Sequence, residues 1–274
     1  MEGIKVRLRR YRPVNAKDKT LPVLDAFLTY LPEDGKNNLI QDLESLQSNQ
    51  EIRAQADSLL ALLLYPMVSL SASELNVSQP YNINGLVDIL KSECLERDYK
   101  RCTITKMADY EAMRDISNEP HIGITECAPI IPFLLAPGGN SDNELSKEAV
   151  WDNLIRYFPA IEQEISFTRD DLKSTENAIT MEYGLRWDFL KFWFALQPTQ
   201  HTNLYRVKTY DENVAIEIVP NQTVFFTSQD AQYPLPSHVL LETQYYRRNT
   251  QRLWPCQVDF QNTYKYRTHF YPDN

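Results

Sequence analysis

The chain has 274 residues, 43% of them hydrophobic and 24% charged, with a mean hydropathy of −0.46. That is the balance of a globular protein long enough to bury a sizeable core. Seven glycines, with no G-x-G-x-x-G or G-x-x-x-x-G-K-[ST] pattern, exclude the usual dinucleotide and nucleoside triphosphate cradles. A net charge of −9 weighs against a phosphate-gripping surface, so nucleic acid is not the expected partner.

The first residues, MEGIKVRLRRYRPV, are basic and lack the apolar segment of a signal peptide. No run of about 18 apolar residues occurs, so no membrane partner is expected. Cys94, Cys102, Cys127 and Cys256 form no C-x-x-C pair and read as reduced thiols. A cytoplasmic location follows, with a nuclear one also open.

Residues 21–67 read as helices. Leu24, Phe27, Leu28 and Leu31 recur at spacings of three and four, as do Leu39, Ile40, Leu43 and Leu46. Ile52, Ala56, Leu59, Leu60 and Leu63 continue the pattern up to Pro66. Residues 1–68 are therefore expected to form a helical cap, and the Ser/Asn-rich stretch 69–83 a linker. A helix over 84–98 should feed a short strand at CTIT (102–105), with a second strand at IGITEC (122–127). The spacing of Val150, Leu154 and Phe158 predicts a helix over 145–158, and GLRWDFLKFWFAL (184–196) reads as another. LYRVKTY, VAIEIV and TVFFTS alternate as the strands of an antiparallel meander, before a last helix over 235–253. The tail, 255–274, is aromatic and polar without a clear pattern.

Three segments stand in a telling order: LERDYKRCTITK (95–106), TECAPIIPF (125–133) and ENAITMEYGLRWDF (176–189). Together they resemble the fungal group of HNH-endonuclease-like proteins. The pattern of that group runs R-D-x-x-x-C-x-(I/V)-T-G, then A-A-H-I-I-P-F, then N-x-I-x-M/L and a histidine. Arg97, Asp98, Cys102, Thr105, Ala128, Ile130 to Phe133, Asn177 and Ile179 stand where the pattern puts them, and the resemblance covers roughly residues 21–252. It implies an α+β fold: a helical N-terminal cap, then an HNH-like ββα core over 84–254 with added helices and a small antiparallel meander. It also implies one divalent ion, with a histidine as general base and a helix-borne histidine as ligand.

The sequence departs from the pattern at the chemical positions. Pro129 replaces the base, Arg186 the metal ligand, Gln244 a third histidine, and Lys106 the glycine of the strand turn. No two of His121, His201, His238 and His269 have the i, i+4 spacing of a helical metal pair. The expectation is a scaffold without metal or other cofactor.

Around the altered centre, Glu126, Asp188 or His121 could serve as acid or base if burial shifts its pKa, and Arg186 could hold a carboxylate or enolate oxygen. Cys127 could act as a nucleophile if a cation lowers its pKa. Asn177, Tyr183 and Trp187 would line the pocket. The bland alternatives are a Glu126–Arg186 salt bridge, and core packing for the run WDFLKFWF. YYRR (245–248) and YKYR (264–267) could stack single-stranded bases or simply be solvated.

Three functions remain open at this stage. The first is a metal-independent enzyme, a cyclase or isomerase on an organic small molecule in fungal specialised metabolism. The others are an inactive pseudo-nuclease serving as an interaction module, and a residual metal-dependent endonuclease.

Overall fold

A computed structural model describes residues 2–67, 70, 84–114, 120–138, 141–210 and 223–252. The linker apart from residue 70, the VAIEIV run, Cys256, His269 and the tail lie outside the described residues. What is described is mixed helix and sheet, of the α+β kind.

Four helices open the chain: α1 (Glu2–Arg10), α2 (Thr20–Tyr30), α3 (Glu33–Ser45) and α4 (Asn49–Leu59), which runs on through one π-type turn at Leu60–Leu64. The basic N-terminal stretch forms α1. It buries Ile4, and Arg7 Nη1 donates to the Leu43 carbonyl at 3.0 Å. Ser48 and Glu51 close a capping box at the start of α4.

Where the chain turns from α1 into α2, Asp18 accepts from the Tyr11 hydroxyl (2.7 Å) and from the amides of Val14 and Thr20 (both 2.9 Å). Gly35 of α3 meets α7 (Ser141–Tyr157) so closely that a Cβ there would run into the Tyr157 carbonyl oxygen. Leu24, Phe27, Leu59 and Leu63 belong to the same buried cluster as Ile130, Leu154, Ile179 and Leu240.

Among the described residues, helix α5 (Asn84–Arg97) leads to three small sheets. The first is a two-residue parallel pair, β1 (Ala108–Asp109) with β2 (Ile122–Gly123). The second pairs β3 (Thr125–Pro129) antiparallel with β4 (Ala178–Glu182), in the register Cys127 opposite Thr180 and Pro129 opposite Ala178. Helix α9 (Tyr183–Leu190) follows β4 directly and packs on both strands, giving a strand–strand–helix unit. The third is an antiparallel meander of β5 (Phe194–Pro198), β6 (Leu204–Thr209) and β7 (Thr223–Phe225), covered by α10 (His238–Arg252). Between these elements lie the four-residue helices α6 (Tyr110–Met113) and α8 (Ala160–Gln163).

Two expectations are corrected. CTIT (102–105) is a turn, not a strand: Lys106 takes a left-handed φ of 62°, its amide closes on the Cys102 carbonyl at 3.0 Å, and Cys102 N bonds Met107 O at 2.8 Å. The turn overrides the β preference of its Thr and Ile residues. Helix 184–196 stops at Leu190. Trp193 N reaches back to Asp188 O, and Phe192 N to Phe189 O (both 2.9 Å), with Phe192 at φ 57°. This is a Schellman ending with phenylalanine where glycine is usual, and Phe194 onward becomes the first strand of the meander.

Two consequences can be measured. Replacing Gly35 by alanine should cost about 1–3 kcal/mol in urea unfolding, because helix backbones rather than flexible tips must separate. Burial pushes the Asp18 carboxyl up, but the donors from Thr20, Val14 and Tyr11 outweigh it and leave it well below the ordinary value. A depressed folded pKa stabilises above about pH 4 and loses that contribution as pH falls further. The variant Asp18→Asn should therefore be less stable at pH 7 and show a flatter acid limb of stability against pH.

Candidate functional site: the strand–strand–helix centre

Three buried polar groups set the geometry here. Arg97, at the end of α5, has no exposed surface. It grips Asp98 by a two-pronged ion pair, Nε to Oδ1 at 2.8 Å and Nη2 to Oδ2 at 2.7 Å. The same guanidinium donates to the carbonyls of Thr175 (2.7 Å), Ala178 (3.0 Å) and Pro234 (3.2 Å). Asp98 Oδ2 accepts in turn from the Thr180 amide at 3.3 Å. Burial opposes the charge on Arg97, and the bonds and field of Asp98 more than restore it, so its pKa stands above the ordinary value.

Asn177, wholly buried, accepts from Ile131 N and donates to Ile131 O and Leu172 O, all at 2.8 Å. It braces the loop after β3 and faces no open space. On the other flank, buried Asp109 accepts from Thr125 Oγ1 (2.7 Å) and Ala112 N (2.9 Å).

Between these braces stand Pro129, Arg186, Glu126 and two thiols. Pro129 is buried opposite Ala178. Arg186, on α9, sends its Nε to the Cys127 carbonyl at 3.0 Å. Glu126 pairs with Lys91 of α5 at 3.7 Å. The thiols of Cys127 and Cys94 touch, Sγ to Sγ 3.9 Å, within a small apolar cluster of Leu90, Phe133 and Ala178. The bond to Cys94 and burial push the Cys127 thiol well above its usual range, against the pull of Arg97 and Arg186. A thiol held protonated is a poor nucleophile.

The remaining candidates scatter. His121 is exposed, and its carbonyl accepts from Ala108 N at the edge of the β1–β2 pair. Tyr183 is exposed and Trp187 half-buried on α9, with ring centroids 6.2 Å apart, and Lys191 Nζ rests 5.2 Å from the Trp187 ring and 4.9 Å from that of Trp193. Asp188 is the buried carboxylate of α9, 3% exposed. Gln244 is buried on α10 with neither side-chain amide atom hydrogen-bonded.

Sequence reasoning gave Arg97 no role beyond its place in the motif, although an Arg-Asp pair at a helix end could have pointed to a buried clamp. It also missed a groove of about 440 Å³ in the helical part, lined by Lys17, Asp18, Arg53, Asp57 and Tyr65 among others.

The resemblance implies a divalent ion, and the residues do not fit one. Proline offers no ligand atom, and a guanidinium beside the strand carbonyl repels a cation. Among the described residues no three His, Cys, Asp or Glu side chains converge on a point that could hold a metal ion. No helix among them is long and apolar enough to cross a membrane. Compared with family models, curated proteins and solved structures, the chain finds no significant match in any of the three.

The clamp can be tested directly. Arg97→Met leaves Asp98 buried and uncompensated, and should cost about 3–5 kcal/mol by denaturant unfolding. The double variant Arg97→Met/Asp98→Leu should recover part of that loss. A single variant as stable as the wild type would show the pair to be dispensable.

Proposed function

We propose that the chain is an HNH-type scaffold that has left nuclease chemistry and acts, without a metal ion, on an organic small molecule by acid–base catalysis. A cyclisation or isomerisation in fungal specialised metabolism is the class of reaction intended. The observation that carries the reading is the contact of Arg186 Nε with the Cys127 carbonyl, beside a buried Pro129. At the positions where the resemblance expects a base and a metal ligand stand a ring without a basic atom and a fixed positive charge. The buried carboxylate of Asp188 and the half-exposed Glu126 supply acid–base groups. In the proposed step a carboxylate takes a proton from a carbon next to a carbonyl. The enolate oxygen is met by Arg186, and the same proton returns elsewhere on the molecule. Cys94, Cys102 and Cys127, all free and buried, support a reducing compartment such as the cytoplasm or nucleus.

The Cys94–Cys127 contact favours a second reading. Apolar and sulfur groups fill the space between α5 and β3, as in an inactive module whose work is to bind another protein. Native mass spectrometry on protein purified gently from its own host separates the two. A stoichiometric organic mass is expected, and turnover of that compound should fall at least ~100-fold in Asp188→Asn or Glu126→Gln with the melting point little changed. Chelator-sensitive nicking of supercoiled plasmid would overturn both readings in favour of a nuclease.

A further inference from the structure

The last helix carries a charge for which the described residues provide no counter-ion. Arg247 of α10 is 2% exposed, and neither its Nε nor its Nη1 has a hydrogen-bond partner. Its guanidinium lies 5.1 Å from the ring centroid of Phe192. One turn earlier on the same side of α10, Gln244 is 1% exposed with both Nε2 and Oε1 unpartnered. Buried guanidinium groups in folded proteins are paired, because an isolated one forfeits its hydration for nothing. Arg97 in the same chain shows the usual solution: a carboxylate on one edge and carbonyls on the rest.

The residue beneath Arg247 is unusual as well. Phe192 holds the left-handed position of the α9 ending, at φ 57°, where a bulky side chain is strained. Strain of this kind persists where the surroundings demand a particular side chain at that spot. Three independent features thus converge between α10 and the α9–β5 turn: a strained aromatic, an unpaired cation and an unbonded amide.

We propose that Arg247 and Gln244 form a binding site for the carboxylate of an organic acid, seated against the Phe192 ring. A monoanion is chosen over phosphate for a physical reason. One guanidinium and one neutral amide balance a single negative charge, and a neutral assembly is the cheapest to enclose in an apolar interior. The planar fork of arginine matches the two carboxylate oxygens, and the Gln244 amide can donate to one of them. Burial draws the Arg247 pKa down to about 9, which leaves it charged and available to an anion at neutral pH. The site does not depend on the acid–base reading above, since a chain without enzymatic activity would bind the same anion.

The test is thermal unfolding of the full chain in Tris–chloride at fixed ionic strength, with acetate, benzoate or inorganic phosphate replacing part of the chloride. Wild type should gain melting temperature saturably with the two carboxylates, and less with phosphate. Arg247→Met should lose that response and, in chloride alone, melt above wild type, because the unpaired charge is gone. Gln244→Leu keeps the charge and should weaken apparent carboxylate affinity roughly 10-fold. A wild type indifferent to carboxylates, or a carboxylate response that survives in both variants, overturns the site. Should Arg247→Met fail to fold, the Gln244→Leu titration still decides. The acid–base reading is judged apart from these outcomes, by turnover in Asp188→Asn and Glu126→Gln and by the plasmid result, since an acid held at Arg247 would also add to the native mass.

Discussion

The described fold depends on one buried cation. Arg97 joins the end of α5 to the turn before β4, to β4 itself and to the approach to α10, and among the described residues its charged partner is the next residue in the chain. Carbonyls at Thr175, Ala178 and Pro234 would each be costly to bury unbonded, and one guanidinium satisfies all three. Asn177 repeats the device with a neutral amide, and Asp109 with a carboxylate. The strand–strand–helix unit is thus held at its corners by polar side chains, while its middle is filled by proline, alanine and sulfur.

Such a division keeps the polar braces apart from the centre that they hold. The braces lie outside the positions where the resemblance expects chemistry, so Pro129 and Arg186 can stand there without disturbing the register of β3 on β4. Lys106 illustrates the same tolerance. It adopts the left-handed conformation natural to glycine, and its ammonium bonds the Thr103 carbonyl at 2.8 Å.

Much of the architecture was legible in the sequence because helices announce themselves by period. The apolar spacing in α2 to α4 and in α7 corresponds to buried faces, as Leu24, Leu43, Leu59 and Leu154 show. The aromatic run 187–194 proved harder. Its apolar density hides a chain reversal at Phe192, and no glycine marks the left-handed residue. The turn at 102–106 was masked in the same way, by β-branched residues whose preference yields to backbone bonds with Met107 and Thr180. Of the candidate site, the motif segments that meet there could be read from the sequence, but not the partners of their side chains. The Glu126–Lys91 and Cys127–Cys94 contacts join residues more than thirty positions apart, and no local pattern encodes them.

The Arg97 clamp also imposes an order of events on the nascent chain. Its acceptors lie 78, 81 and 137 residues downstream, so a ribosome delivers the cation long before the carbonyls that receive it. Until then water hydrates the guanidinium, and the cost of burying it falls due only when the later segments close over it, with Asp98 already beside it as the counter-charge.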